Sequence, residues 1–186
     1  GAQHITTLFE LKKQGIVNKI YACDINPSLL DNLANALDGV FSDWSEMTHS
    51  TELDLVSVVT PNSTHAQIGI ALLEQGFHVL VEKPLGRSLK EVEQLCEAAQ
   101  KHPGNLSSGY LLRHHPGILS AEKIIQSQGI GRVKSIRYTK YTSRKKPSNA
   151  NVIENLASHA FSTIPLLLDT SDTPLITVAT TLENNK

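Results

Sequence analysis

Asp54-Leu55-Val56-Ser57-Val58-Val59-Thr60-Pro61-Asn62-Ser63-Thr64-His65, followed after a helical interval by Gly76-Phe77-His78-Val79-Leu80-Val81-Glu82-Lys83-Pro84, is the stretch that decides the fold. Each half contains a β-branched and aliphatic run suited to a buried strand, and each run stops abruptly at polar or turn-forming residues. Between them, 64–75 reads as a helix that Gly76 stops. A strand, a helix and a second strand joined in this way imply a parallel pair linked by a crossover. The polar residues of both strands then collect at their carboxyl ends, where an open α/β sheet offers a ligand its site, so an enzyme is the leading expectation.

The alternation continues outward. Residues 2–14 are helical in pattern, with Ile5, Leu8, Phe9 and Leu11 apolar; 19–24 is a short strand; 27–37 is a helix with Pro27 in its first turn and Asn26 as candidate cap. A brief strand at 40–41, the strand at 53–60, the strand at 79–81, a helix over 88–101 and a strand over 106–110 complete the series. Strands and helices alternating through short loops imply right-handed crossovers and a mostly parallel, doubly wound sheet covered on both faces. After Arg113-His114-His115-Pro116 the pattern changes to a helix over 118–128, a Gly129-Ile130-Gly131 turn and an alternating strand over 133–141. Pro165 suits a helix end and 175–180 a further sheet strand.

Composition excludes several classes. With 186 residues, 40% hydrophobic and 19% charged, the chain can bury one sizeable core or two small ones. A net charge of −1 and a pI near 6.8 give no electrostatic reason to expect nucleic acid or an anionic membrane as partner. The basic cluster of Lys134, Lys140, Arg144, Lys145 and Lys146 reads as a solvated loop rather than a phosphate or nucleotide-sugar contact. No apolar run approaches the ~20 residues of a membrane helix. The amino terminus shows no signal pattern, and a cytoplasmic location is expected. The two cysteines, Cys23 in a strand and Cys96 on a helix, lack redox or metal spacing and are expected as buried packing residues. Among the eight histidines, His4, His49, His65, His78 and His102 are scattered and the adjacent His114 and His115 would point apart, so no metal is expected.

Thr60-Pro61-Asn62 with His65, then the glycine-bounded strand closing on Glu82-Lys83-Pro84, resembles the Gfo/Idh/MocA family of nicotinamide-dependent oxidoreductases. The likeness runs from Gly1 to about Leu168 with its blocks in the family's order, and the Glu-Lys-Pro block is the most discriminating. It implies a Rossmann-type dinucleotide-binding domain over 1–113. It also implies that 114–186 begins an α+β substrate-binding and oligomerisation domain with an open, mainly antiparallel sheet. A homodimer or tetramer is expected of the complete protein. The family's domain opens with a strand and a G-x-G-x-x-G turn. Gly1-Ala2-Gln3-His4 resembles the third glycine of that turn and the histidine that follows it, so the first strand and two earlier glycines are expected upstream and the chain is expected to be part of a longer enzyme. The alternative is that Gly1 is a cloning remnant.

Roles follow for the polar positions. Asp24 ends a strand a little over twenty residues after Gly1, where a carboxylate accepts hydrogen bonds from the adenosine ribose; its charge repels a 2′-phosphate, favouring NAD without excluding NADP. Alternatively Asp24 caps the turn before Pro27 together with Asn26. Thr60, Pro61 and Asn62 are placed against the pyrophosphate and nicotinamide ribose, unless the proline is simple loop chemistry. His65 belongs either to the cofactor side or to the packing of a helix start. By resemblance Lys83 is the catalytic lysine, Glu82 a ribose contact, and Arg113 faces the same cleft. A lysine fixed at a strand's carboxyl end can stabilise negative charge on a substrate oxygen.

The family's last element is an Asp followed four residues later by His on one helix. Here Asn155 precedes His159, one helical turn away. His159 is the expected general base, or else a packing residue. Asn155 can orient a hydroxyl but cannot ionise. Ala160, Phe161 and Ser162 occupy the positions where a second aspartate often follows. The leading expectation is an NAD(P)-dependent oxidoreductase moving hydride between nicotinamide and the hydroxyl or carbonyl carbon of a sugar, cyclitol or related small polyhydroxylated substrate. Two alternatives stand beside it. One is a biosynthetic imine or carbonyl reductase; the other is a dinucleotide-binding protein that has lost catalysis, for which Asn155 is the discriminating feature.

Overall fold

A computed structural model describes residues 1–139 and 157–168. The chain divides into two compact units, Gly1–Ser107 and Ser108–Lys186. That division falls just before the expected one at 113, so Arg113 belongs to the second unit.

In the first unit β3 (Leu55–Val58) and β4 (His78–Val81) pair in parallel, Leu55 opposite His78 and Val58 opposite Val81. The crossover is α3 (His65–Glu74), and β5 (Leu106–Ser108) lies on the far side of β4. Gly76 stops α3 with φ +89°, a left-handed value open to glycine. Gly104 is required by space instead, because a Cβ there would overlap the Phe77 carbonyl. Val56, Val58, Val79 and Val81 share one sheet face and pack with Leu72 and Leu73 of α3 and with Leu95 and Ala98 of α4 (Leu89–Lys101). Complete burial of such a side chain stabilises by about 1.5–3 kcal/mol, which makes this cluster the energetic centre of the unit. Ser88 starts α4 by accepting a hydrogen bond from the Glu91 N–H at 3.2 Å.

The other face differs from expectation. Burial along β3 and β4 alternates, with Leu55 51% exposed, whereas a sheet covered on both faces would bury every residue. β1 (Tyr21–Cys23) and β2 (Gly39–Phe41) form their own parallel pair, which is not hydrogen-bonded to β3. α1 (Ala2–Lys13) buries none of its side chains fully.

Two long-range contacts orient α1. At its last turn Lys12 Nζ donates to Asp38 Oδ2 at 2.6 Å, and Asp38, just before β2, also accepts the Ile20 N–H at 2.8 Å. At its first turn His4 Nε2 meets Glu82 Oε1 at 2.9 Å, just beyond β4. The helix therefore runs antiparallel to the strands, its amino end at their carboxyl ends.

Local elements depart from the sequence reading in two places. Residues Pro27–Ala36 form 3-10 turns, and Asn26 makes no side-chain cap, because its Oδ1 accepts from Ser28 Oγ at 2.6 Å. An unexpected helix, α2 (Trp44–Ser50), starts where Asp43 Oδ1 accepts the Ser45 and Glu46 N–H groups at 2.7 and 3.4 Å. Asp43 followed three residues later by Glu46 was its legible signal.

The second unit holds a 3-10 turn at Leu111–His114, α5 (Pro116–Gln126), α6 (Ser158–Thr163) and a 3-10 turn at Ile164–Leu166 that contains Pro165. His115 Nδ1 caps α5 by accepting the Gly117 N–H at 3.1 Å. Residues 133–139 form no strand, so the expected antiparallel sheet is not seen among the described residues. Asn155, the 140–146 part of the basic cluster and the strand expected at 175–180 lie outside the described residues. Among the described residues no helix is long and apolar enough to cross a membrane.

Candidate active site

The carboxyl ends of β3 and β4 bring the two quoted motifs side by side. The ladder runs one step past the strands, with the Glu82 N–H donating to the Val58 carbonyl at 2.9 Å. Glu82 then sits between two elements, its Oε1 on His4 and its Oε2 accepting the Lys83 N–H at 3.1 Å. His4 and Glu82 are each about three-quarters buried, with side-chain exposures of 23% and 25%. After β3 the chain turns tightly: Thr64 closes the turn through its N–H and Oγ1 on the Pro61 carbonyl at 3.0 and 2.9 Å, and Oγ1 also accepts from the Thr60 hydroxyl at 2.8 Å. Thr60, Pro61 and Asn62 are thus carried on a rigid turn, and Pro61 contributes a fixed φ of −57°.

His65 is the most buried polar side chain of this region, 2% exposed. Its Nε2 lies 2.8 Å from the Thr60 carbonyl oxygen and its Nδ1 2.7 Å from the Pro84 carbonyl oxygen. The Lys83–Pro84 peptide is cis. Both ring nitrogens are therefore occupied by backbone. Of the two sequence alternatives for His65, the structure displays the helix-start packing directly.

At the end of β1, Asp24 is fixed by its N–H to the Phe41 carbonyl at 3.1 Å, and its Oδ1 accepts the Asn26 N–H at 2.9 Å. The turn-capping role is real, and it orients the carboxylate instead of consuming it, since among the described residues no partner is found for Oδ2. Beside it, burial pushes the Cys23 thiol pKa up, and the carboxylates of Asp43, Asp24 and Glu46 add to the effect. The expected burial of both cysteines holds only in part: Cys23 is half-buried and Cys96 is exposed on α4.

The amino end of α1 supplies the remaining group. Gly1 is its N-cap, with no side-chain cap and no acidic residue in the first turn, so the first N–H groups present partial positive charge with nothing of their own to neutralise it. A Cβ at Gly1 would meet Val59 Cγ2 at 3.8 Å, an ordinary contact, so space alone does not demand glycine there. A dinucleotide needs an anion site for pyrophosphate, a carboxylate for the ribose and a polar turn near its reactive ring. The donor set at these strand ends fits all three. A concavity of about 470 Å³ elsewhere, lined by Thr6, Phe9, Lys12 and Ala36 among others, shares no residue with it and is open surface between α1 and the Pro27–Ala36 turns.

In the second unit Arg113 Nη1 donates to the Ser162 carbonyl at 3.1 Å. It thereby ties the Leu111–His114 turn to α6, the helix that carries His159. The His159 carbonyl accepts from Ser162 Oγ and Thr163 Oγ1 at 2.8 and 2.9 Å. No group of three His, Cys, Asp or Glu residues suited to a metal occurs among the described residues. From the sequence, His4 reads only as a possible metal ligand or as a companion of Gly1, and Thr64 carries no distinguishing signal. A first-turn residue of a helix that must return to the strand ends was the available signal for His4.

Comparison with known proteins agrees with this geometry. Residues 1–110 match the family described as oxidoreductase family, NAD-binding Rossmann fold. Levoglucosan dehydrogenase of Pseudarthrobacter phenanthrenivorans is 32% identical over 125 residues, 66% of this chain and 32% of that protein. The NADP(+)-dependent scyllo-inositol 2-dehydrogenase of Bacillus subtilis is 29% identical over 115 residues, 62% of this chain and 35% of that protein. Among solved structures, scyllo-inositol dehydrogenase from Lactobacillus casei with bound NAD(H) and scyllo-inositol superposes with a TM-score of 0.58 at 25% identity, covering 61% of this chain and 34% of that one. The chain thus spans about a third of the length of these relatives. The parallel strands with their motifs at the carboxyl ends, and a family match covering Gly1 to Tyr110, establish that the chain belongs to the Gfo/Idh/MocA oxidoreductase family with its NAD-binding Rossmann domain.

Proposed function

We propose that the protein containing this chain transfers hydride between a nicotinamide dinucleotide and the hydroxyl or carbonyl carbon of a sugar, cyclitol or related polyhydroxylated molecule. The observation that carries this is the convergence of α1's uncapped amino end, the Thr60-Pro61-Asn62 turn and Glu82-Lys83 at one edge of the first unit. Levoglucosan and scyllo-inositol, named for the relatives, support this substrate class.

When bound, the nicotinamide supplies the carbon that accepts or returns hydride. The first N–H groups of α1 hold the pyrophosphate. Asp24 Oδ2 accepts from ribose hydroxyls and disfavours a 2′-phosphate, so NAD is preferred over NADP. Thr60, Asn62 and Glu82 position the nicotinamide ribose. Lys83 donates to the substrate oxygen and stabilises charge on it, which is worth most where water is excluded. His159 takes the hydroxyl proton in the oxidative direction and returns it in the reductive one, and Asn155 orients a neighbouring hydroxyl. Arg113 supports α6, the helix that carries His159. The complete protein assembles as a homodimer or tetramer.

The test is a turnover screen of inositols, anhydrosugars and aldoses with NAD and NADP, following nicotinamide absorbance. Turnover of at least one such compound is expected, with Lys83→Ala lowering kcat by roughly 10²–10⁴-fold. Reduction of imines with no oxidation of any polyol would replace this reading by the reductase one. Dinucleotide binding without any turnover would favour a protein that has lost catalysis.

A further inference from the structure

We propose that His65 is a positioning residue, a buried clamp that fixes the cofactor turn and the lysine turn relative to each other; this rests on the function proposed above. Its ring stands between two backbone carbonyls that belong to different strand ends, Thr60 after β3 and Pro84 after β4, at 2.8 and 2.7 Å. A carbonyl oxygen only accepts, so each contact is a hydrogen bond where the facing ring nitrogen carries a proton. Neither carbonyl is spent on the neighbouring turn, since the Thr64 N–H and Oγ1 both go to the Pro61 carbonyl. The ring is 2% exposed, so water does not compete for either bond.

The consequence falls on Lys83. Its backbone is bracketed, on the amino side by its N–H on Glu82 Oε2 at 3.1 Å and on the carboxyl side by the Pro84 carbonyl on His65 Nδ1. Thr60 is held by the other nitrogen of the same ring. A shift of either turn changes the distance between the group that binds the cofactor and the group that holds the substrate oxygen, and misplacement of about 1 Å at a reacting centre can cost on the order of 10²-fold in rate.

The two bonds can be separated by substitution. The amide nitrogen of asparagine stands near the place of Nδ1 and that of glutamine near Nε2. His65→Asn therefore keeps the bond to Pro84 and drops the one to Thr60, and His65→Gln does the reverse. In the full-length protein, His65→Gln is expected to leave the NADH Kd within about threefold while kcat falls on the order of 10²-fold. His65→Asn is expected to raise the Kd by about tenfold, with kcat at saturation within a few-fold of the parent, a split between binding and turnover that generic destabilisation does not produce. Equal losses of both parameters in the two variants, or unchanged values in His65→Phe, would overturn the clamp. If the variants fail to fold, NMR of the histidine rings in the parent protein decides: a His65 ring N–H coupled across a hydrogen bond to the Thr60 or Pro84 carbonyl carbon supports the clamp, and no such coupling refutes it. That measurement needs neither cofactor nor substrate, so a parent protein that binds no dinucleotide would sink the proposed function while leaving the clamp to be judged separately.

Discussion

The two corners of the first unit are built in opposite ways. At the end of β1, the turn through Asp24, Ile25 and Asn26 is held by short local bonds, with Asp24 Oδ1 on the Asn26 N–H and Asn26 Oδ1 on Ser28, and Ile25 is 95% exposed. At the ends of β3 and β4, a buried imidazole joins two strand termini that are distant in sequence, above a core of wholly buried valine and leucine side chains. The first corner suits an element that need only present a carboxylate to a ribose. The second suits one that must hold reacting groups in register. Precision is placed where chemistry is expected, and the purely binding corner is left to local turn chemistry.

The sharpest way to break this contrast is in the packing beneath the second corner. Leu95 is completely buried against the β3–β4 face, and Leu95→Ala should destabilise by about 2–5 kcal/mol in urea or thermal unfolding. Ile25→Ala at the first corner should change stability by less than about 0.5 kcal/mol, as exposed positions do. Similar losses at both would erase the distinction.

A smaller effect concerns the tie between α1 and the β1–β2 pair. The Lys12 ammonium on Asp38, then the Ile20 N–H, hold the Asp38 carboxyl pKa below its ordinary value. A carboxyl whose pKa is lower folded than unfolded contributes stability that is fully present above its unfolded pKa, about 3.9. That contribution is lost as pH falls through the lower folded value. Urea melts taken from pH 6 downward should show this loss in the parent and a flatter acid limb in Asp38→Asn. The same acid slope in both would exclude the contact as its source. Smallest is a difference in thiol chemistry. Burial, with Asp43, Asp24 and Glu46 nearby, raises the Cys23 pKa, so iodoacetamide should label exposed Cys96 before Cys23 by mass spectrometry, because the thiolate is the reactive form.

How far the sequence could be read follows the same divide. The β3–α3–β4 unit was legible because its apolar runs, Gly76 and the polar strand ends all point to one arrangement, and α4 was legible from its periodicity and Ser88. The half-open second sheet face was less so, because hydrophobic patterning reports what a residue is suited to and not what lies against it. The antiparallel sheet expected after residue 133 is not seen among the described residues. For the site, position and resemblance point to Glu82, Lys83 and the Thr60 turn, which the fold carries at adjacent strand ends. Thr64 and His4 act through contacts that only the folded chain creates, as does His65 through its two backbone contacts.

The most direct test of the central claim, that the strand ends of this chain form a dinucleotide site read by Asp24, is a fluorescence titration of the parent protein and Asp24→Ala with NADH and with NADPH. The account predicts saturable binding that favours NADH and weakens by about tenfold, or ~1.4 kcal/mol, in Asp24→Ala, with the preference over NADPH reduced. No saturable binding of either dinucleotide, or NADH binding indifferent to Asp24, would contradict it.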